Sequence, residues 1–439
     1  WLSYTLHAAL INCLLAIITF NFFLKLGIKI KISIIFSVSI SILAYPSTGT
    51  PFMDHHAAIF SLISLIFLIL SLKHDKKNYW YLSAFFLSLS FFSKQIPSGY
   101  LFIFYLIIFL VNYYFIKNSR NIIYFLYGGL TVIICFLFLF KFFDISLNKF
   151  FIQYILYPIS IGESRILNIN FDFKNTISQF KFIHFSILLL FFCMYHIFLI
   201  KNKNKENKVD IVVLICVIIS SYIFLYTQII TRNQILIFFL IPFNLSISYF
   251  FSKKYVHKKN IIFFIFLILI ISTIKFHIRF NENKKFMEFE KIDIKNLTID
   301  ASILDVELKG LNWLTPHYPS NPKKELEILN NIKNLIIRDK NKKIIVSDYQ
   351  ILPYLTKNSN FAPNKWFDDL SVPNKKNKFN YVYRDFFSSK IKEQKVVNVY
   401  VVGRNKLELF LASFNHKNDC LEINEINELL IKLNIKNCY

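Results

Sequence analysis

The sequence predicts an α-helical polytopic membrane protein of about ten transmembrane helices, followed by a small α/β extracytoplasmic C-terminal domain. Three observations carry that expectation. Apolar residues make up 55% of the 439-residue chain, more than an ordinary soluble protein needs. Charge-free runs of roughly 17–21 residues recur up to about position 280, and that is the length that crosses a bilayer core. Charge is also unevenly divided. Residues 1–279 hold 25 Lys+Arg against 7 Asp+Glu, whereas residues 280–439 hold 26 against 20. The formal +24 therefore sits mostly in short loops between apolar runs, where membrane topology explains it, and a nucleic-acid partner is not expected.

Ten apolar segments follow one another, at about 4–24, 28–45, 56–72, 79–93, 99–116, 122–140, 182–200, 209–229, 234–251 and 260–278. The loops between them alternate in charge. One set carries sixteen cations: Lys25/Lys29/Lys31, Lys73/Lys76/Lys77, Lys117/Arg120, Lys201/Lys203/Lys205/Lys208 and Lys253/Lys254/Lys258/Lys259. In the other set, the short loops 45–55, 94–98 and 230–233 carry only Lys94 and Arg232. The positive-inside rule puts the first set in the cytoplasm, and every loop agrees with it. Trp1 then lies outside, and no basic stretch with a small-residue cleavage site marks a signal peptide. The expectation is that the chain lacks its native N-terminus and that a further helix precedes it.

Residues 1–279 thus form a membrane domain, interrupted by one long external loop at 141–181. There Phe142, Phe143, Phe150, Phe151, Tyr154, Ile155 and Tyr157 alternate with Asp144, Lys149 and Gln153, a pattern suited to a helix lying in the membrane interface, and Gly162-Glu163-Ser164-Arg165 reads as a turn. Residues 280–439 form the soluble domain. Lys324–Arg338 has helical apolar spacing, and Lys343–Ser347 and Val396–Val402 read as buried strands. Tyr383–Lys392 and Asn424–Leu433 are expected helices, the second with an Asn cap and early glutamates. Helix and strand in alternation imply a small α/β unit. Cys13, Cys135, Cys193 and Cys216 fall inside apolar runs as small hydrophobes, whereas Cys420 and Cys438 lie in the polar tail, where an oxidising compartment would allow them to pair.

Two polar clusters face each other across an apolar hairpin: Thr50-Pro51-Phe52-Met53-Asp54-His55-His56, and Ser93-Lys94-Gln95-Ile96-Pro97-Ser98. With both arms crossing a membrane, the clusters share the face opposite the lysines. Asp54 reads equally as a helix-start acid complementing the dipole and as a boundary carboxylate able to act as general base. His55 and His56 are adjacent, so on a helix they point about 100° apart and cannot readily hold one metal together. Asp54 with one of them could hold a metal, but hydrogen bonding to phosphate or to Asp54 is the better use. Lys94 breaks the charge rule. It either snorkels to headgroups or pairs with a phosphate at the bilayer edge. Arg165 and Arg232 are further external cations, and the planar guanidinium suits phosphate as well as headgroup anchoring. In the tail, Trp313, Pro316, His317, Tyr318, Asp348, Tyr349 and Trp366-Phe367-Asp368-Asp369 suit sugar binding, though ordinary packing explains them equally. No Gly-rich phosphate loop, CxxC pair, nucleophile elbow or HExxH motif occurs, which weighs against ATPases, soluble redox enzymes and zinc proteases.

From about Leu10 to Asn112 the pattern resembles the GT-C membrane glycosyltransferases that use polyprenyl-phosphate-sugar donors, the protein O-mannosyltransferases and the lipid A aminoarabinose transferases among them. Thr50-Pro51-Phe52-Met53-Asp54 is similar to that family's acidic helix start, and Phe91-Phe92-Ser93-Lys94-Gln95-Ile96-Pro97 to its lysine-containing helix end. An external interfacial helix near 147–157 and a soluble C-terminal domain fit the same architecture. The resemblance implies sugar transfer from a polyprenyl phosphate to a lipid, glycan or protein acceptor, on the external face of a bacterial inner membrane. It implies no obligatory cofactor and leaves room for a divalent cation. Asp54 becomes an acid near the acceptor or donor, and Lys94 a contact to the donor phosphate. Two departures matter. The family's principal catalytic carboxylate lies in the first external loop, which would precede Trp1, and Gln95 stands where a glycine is usual. Two other readings remain: an O-antigen ligase or polymerase, and a non-enzymatic lipid-linked sugar transporter or scaffold. A transporter is expected to carry polar residues and broken helices at the midplane, and these spans are nearly clean.

Overall fold

A computed structural model describes residues 2–46, 52–116, 121–167, 169, 172–200, 204–231, 237–283, 297–368, 371–373, 375–377, 379–403, 405–414 and 420–436. The chain divides into two units: Trp1–Phe143 with Asn170–Phe286, and Asp144–Ile169 with Met287–Tyr439.

Each of the ten apolar runs forms a helix in the first unit. In order these are α1 (Leu2–Lys25), α2 (Ile30–Ala44), α3 (Met53–His74), α4 (Lys77–Ser93), α5 (Ser98–Val111) and α6 (Ile122–Phe142). After α7 (Leu147–Phe151) and α8 (Tyr157–Leu167), which belong to the second unit, come α9 (Lys181–Phe198), α10 (Lys205–Thr231), α11 (Leu240–Phe251) and α12 (Lys259–Phe276). Gly27 stops α1 with a left-handed backbone (φ +83°), and the Ile28 amide then closes back onto the Phe23 carbonyl at 3.0 Å.

Side-chain contacts show which ends of these helices meet. At the lysine-rich end, Lys25 Nζ donates to Tyr79 OH (2.9 Å), joining the end of α1 to the start of α4. Asn121 donates to the Asp75 carbonyl (2.9 Å), bringing the start of α6 to the end of α3. Lys73 (2.9 Å) and Lys254 (2.6 Å) both donate to Asp210, which ties α3, α10 and the turn after α11. At the opposite end, the carbonyl of Ala44 lies 2.5 Å from His55 Nε2, so α2 finishes where α3 begins. Phe276 at the end of α12 stacks on Phe238 just before α11, with ring centroids 4.1 Å apart, and meets Phe182 at the start of α9 (5.7 Å). Successive helices therefore alternate in direction through one bundle.

Among the described residues six helices are long and apolar enough to cross a membrane: Thr5–Lys25, Met53–His74, Ile122–Phe142, Lys181–Phe198, Lys205–Thr231 and Lys259–Glu282. That is fewer than the ten expected. The other four, α2, α4, α5 and α11, have 15, 17, 14 and 12 α-helical residues, α5 and α11 running on into five-residue π-helical turns. At ~1.5 Å per residue even α4 reaches only ~26 Å, against a hydrocarbon core of ~30 Å.

The α3–α4 contact is a ladder of serines. Ser90 Oγ donates to the Ala57 carbonyl (2.8 Å), Ser61 and Ser90 hydroxyls pair at 2.7 Å, and Ser64 Oγ donates to the Ser83 carbonyl (2.8 Å). Small side chains let two backbones approach and then satisfy each other in an apolar setting. Gly128 of α6 serves the same purpose, since a Cβ there would stand 2.1 Å from the Tyr81 carbonyl oxygen of α4.

The second unit is a three-layer α/β sandwich. Its sheet has the order β3-β4-β6-β5, with β3 (Lys343–Ser347) parallel to β4 (Asn398–Val402), and β6 (Leu430–Ile435) antiparallel to both β4 and β5 (Leu421–Glu425). A short antiparallel pair, β1 (Ile299–Asp300) and β2 (Asn312–Trp313), precedes it. Helix Pro322–Arg338 covers one face, setting Leu326, Leu329, Ile332 and Ile336 against Ile345, Tyr400 and Val402. Phe387 and Ile391 of helix Asn380–Glu393, with Phe410 and Phe414, cover the other against Ile344, Val346, Val399 and Val401.

Two local expectations are corrected here. Asn424–Leu433 is not a helix but the β5–β6 hairpin. Ile431, Leu433 and Ile435 are buried in alternation, and Asn427 Oδ1 accepts the Leu429 and Leu430 amides (2.9 and 2.8 Å) as a turn rather than a cap. Gly162–Arg165 is helical, inside α8, because tail contacts hold that segment: Asn377 donates to the Ser160 carbonyl (3.1 Å) and to Glu163 (2.5 Å), and Tyr157 donates to Asn364 (3.0 Å). Cys420 is disulfide-bonded and Cys13, Cys135, Cys193 and Cys216 are free thiols, while Cys438 lies outside the described residues.

Candidate functional site

Asp54 occupies the first turn of α3, where its carboxylate complements the exposed amides and the helix dipole. Lys94 is the C-cap of α4, in extended backbone conformation (φ −158°, ψ 140°), so the chain leaves the helix there. The serine ladder fixes the two helices in the register that brings these residues together, and Lys94 Nζ donates to Asp54 Oδ1. Their side chains are 24% and 21% exposed. A pair so placed is screened less than a surface ion pair, whose contribution is ~0.2–1 kcal/mol.

The two histidines diverge. His55 is 1% exposed and its Nε2 lies 2.5 Å from the Ala44 carbonyl. A carbonyl only accepts, so Nε2 carries the hydrogen and Nδ1 is left as an acceptor, with no partner among the described residues. His56 Nδ1 lies 3.0 Å from the Phe52 carbonyl and donates to it by the same logic. In the neutral ring its Nε2 then accepts, and the donor is His7 Nε2 at 2.9 Å. The two rings on α3 stand at 86° with centroids 6.4 Å apart, and among the described residues no group of three or more His, Cys, Asp or Glu could hold a metal.

His7 was not anticipated. Its signal is a lone imidazole in the second turn of an otherwise apolar helix, at an end that the loop charges already place beside Asp54 and His56. The remaining candidates are more dispersed. Gln95 follows Lys94 in the turn to α5, where its carbonyl accepts the Gly99 amide (2.8 Å). Arg165 is half-buried on α8 in the second unit, and Arg232, with Thr50 and Pro51, lies outside the described residues. The structure thus joins Asp54 to Lys94 directly and holds His55, His56 and His7 at the same end of the bundle. That assembly offers a carboxylate, a cation and an imidazole pair with fixed hydrogen placement. No family model matches this chain, and no curated protein matches it.

Proposed function

We propose that the protein is a GT-C type glycosyltransferase of a bacterial inner membrane. It would move a sugar from a polyprenyl-phosphate-linked donor to a lipid, glycan or protein acceptor on the external face. In this reading all ten apolar helices cross the membrane, the four short ones at sites of local thinning, and the second unit is periplasmic.

The observation that carries the reading is the Lys94–Asp54 pair at the end of the bundle away from the lysine-rich loops. An ammonium has three donors, so Lys94 can keep Asp54 and still bind a phosphate oxygen in the poorly screened bilayer edge. The acceptor hydroxyl attacks the anomeric carbon and the bond from that carbon to the phosphate oxygen breaks. The phosphate departs with the electron pair, its charge held by Lys94, and the hydroxyl proton passes to Asp54. His55, 1% exposed with its Nδ1 buried, stays behind this surface, and His56 is held by His7.

The test is transfer in nanodiscs from polyprenyl-phosphate-linked hexose and pentose donors. Lys94→Ala is expected to reduce turnover by ~10²-fold or more, in line with loss of one charge-stabilising donor. Turnover equal to that of the unaltered protein would remove Lys94 from the site.

A further inference from the structure

The parallel strands β3 and β4 deliver their carboxyl-terminal loops side by side, and that end of the sheet is built unlike the rest of the second unit. Lys406, 4% exposed, donates to Asp348 just after β3 (2.7 Å) and to the Phe367 carbonyl (3.3 Å). Gln350 donates to the Lys365 carbonyl (3.1 Å). Trp366 is therefore pinned on both flanks, yet its own side chain is left 42% exposed.

On the other side of Asp348, Tyr349 lies nearly parallel to Trp313 (centroids 6.4 Å, 18°) and against His317 (5.8 Å). Beneath these rings is Glu325, 0% exposed, in the first turn of helix Pro322–Arg338. Its carboxylate accepts from Trp313 Nε1 (2.8 Å), Tyr349 OH (2.7 Å) and Thr315 Oγ1 (2.5 Å). Burying a carboxylate among neutral donors is costly, and an apolar residue packs such a position at least as well. What the carboxylate adds is orientation of the ring donors. Burial, reinforced by Glu325, holds the Tyr349 hydroxyl far above its ordinary value, so it remains a donor.

Carboxyl ends of parallel strands are where open α/β sheets take ligands. The ligand chemistry follows from the groups present. Glu325 lies against the Trp313 and Tyr349 rings and buried Lys406 is already held by Asp348, which disfavours phosphates and other anions, while Lys365 Nζ stands 5.2 Å from the Trp366 ring centre. Aromatic faces carry negative charge and attract polarised C–H groups, while Asp348, Gln350 and His317 offer hydrogen bonds at their rims. We propose that this end of the sheet is a saccharide-binding site, with Trp366 and the Trp313–Tyr349 pair as stacking surfaces and Asp348 as hydroxyl acceptor. It is built from residues of the second unit alone and stands whether or not the Asp54–Lys94 pair transfers sugar.

The whole protein in nanodiscs would be titrated with mannotriose, cellotetraose and chitotetraose, and with pyrophosphate as the anionic control, following tryptophan fluorescence and saturation-transfer NMR. At least one saccharide is expected to bind with a Kd of ~1 mM or tighter, weakened about tenfold or more by Trp366→Ala and by Tyr349→Ala. Lys94→Ala is expected to leave that Kd unchanged. Trp366 is exposed, so its variant tests the surface without emptying the core. Failure of all three saccharides to bind, preference for pyrophosphate, affinity unchanged from the unaltered protein in either ring variant, or loss of binding in Lys94→Ala would each overturn the proposal.

Discussion

Lys94 and Asp54 each make the other tolerable where they sit. An unpaired charge at a partly buried boundary costs more than the pair returns, so single and double replacements should not add. Lys94→Ala or Asp54→Ala alone is expected to destabilise by ~1–3 kcal/mol, and the double variant by less than the sum, read by thermal unfolding in nanodiscs. Additive losses would mean that the two side chains do not interact. Asp339 offers a similar contrast in the soluble unit. Desolvation is the largest influence and pushes its carboxyl up. Donation from Tyr400 OH (2.6 Å), the Asn341 amide (2.9 Å) and Asn398, with the Lys432 charge, outweighs that and holds it below the ordinary carboxylate range. A carboxyl lowered in the folded state adds stability that is present above its unfolded pKa and lost as pH falls through its folded one. Asp339→Asn should therefore lower Tm at neutral pH and flatten the acid limb of a Tm–pH curve below about pH 4. An unchanged limb would assign acid sensitivity to other carboxylates. Asp54 and Lys94 were legible because charge in an apolar context is conspicuous. His7 was not, since its importance lies in a partner 49 positions away.

Helices were the most legible elements because apolar runs of their length have few alternatives. Each of the ten apolar runs became a helix, yet among the described residues six reach spanning length, since hydropathy marks an apolar run without fixing where α-helical hydrogen bonding stops. α5 and α11 pass into π-helical turns at Asn112–Ile116 and Ser252–Val256. The β5–β6 hairpin was misread for a related reason. Asn and Glu near its start satisfy a helix-start pattern locally, and only pairing with β4 makes the alternation of Ile431, Leu433 and Ile435 decisive. Neither pattern predicts how closely two helices approach. Gly128 sets that for α4 and α6, where a Cβ would meet backbone atoms that cannot turn aside, Tyr81 O at 2.1 Å and Tyr81 C at 2.9 Å. Gly128→Ala is expected to cost ~1–3 kcal/mol by overpacking, seen as a lower melting temperature, whereas Gly129→Ala, whose nearest neighbour is the Ser88 hydroxyl at 3.4 Å, should cost less. The reverse order would show that α6 shifts freely along α4.

The distribution of charge over the bundle makes a statement about the molecule as a whole. The polar contacts at one end, Lys25–Tyr79, Asn121–Asp75 and Lys73–Asp210–Lys254, come from the loops rich in lysine, and those at the other, Asp54–Lys94 and His7–His56, come from loops nearly free of it. Alternating directions make both short helices α2 and α4 run between the same two ends as the longer α1 and α3. If they cross, the positive-inside rule orients the bundle and the short loops follow it, whereas the long loop 141–181 carries Lys141, Lys149, Arg165, Lys174 and Lys181. Reporter fusions separate the alternatives. Alkaline phosphatase joined after Gln95 or after Arg338 should be active, and a fluorescent protein joined after Asp75 or after Asn204 should glow, because phosphatase matures outside the membrane and the fluorophore inside it. Should α4 fail to cross, the fusions after Asp75 and Gln95 would report the same side. The Lys94–Asp54 pair would then lie in the cytoplasm, where no external acceptor could reach it, and the transferase reading would fall with the topology.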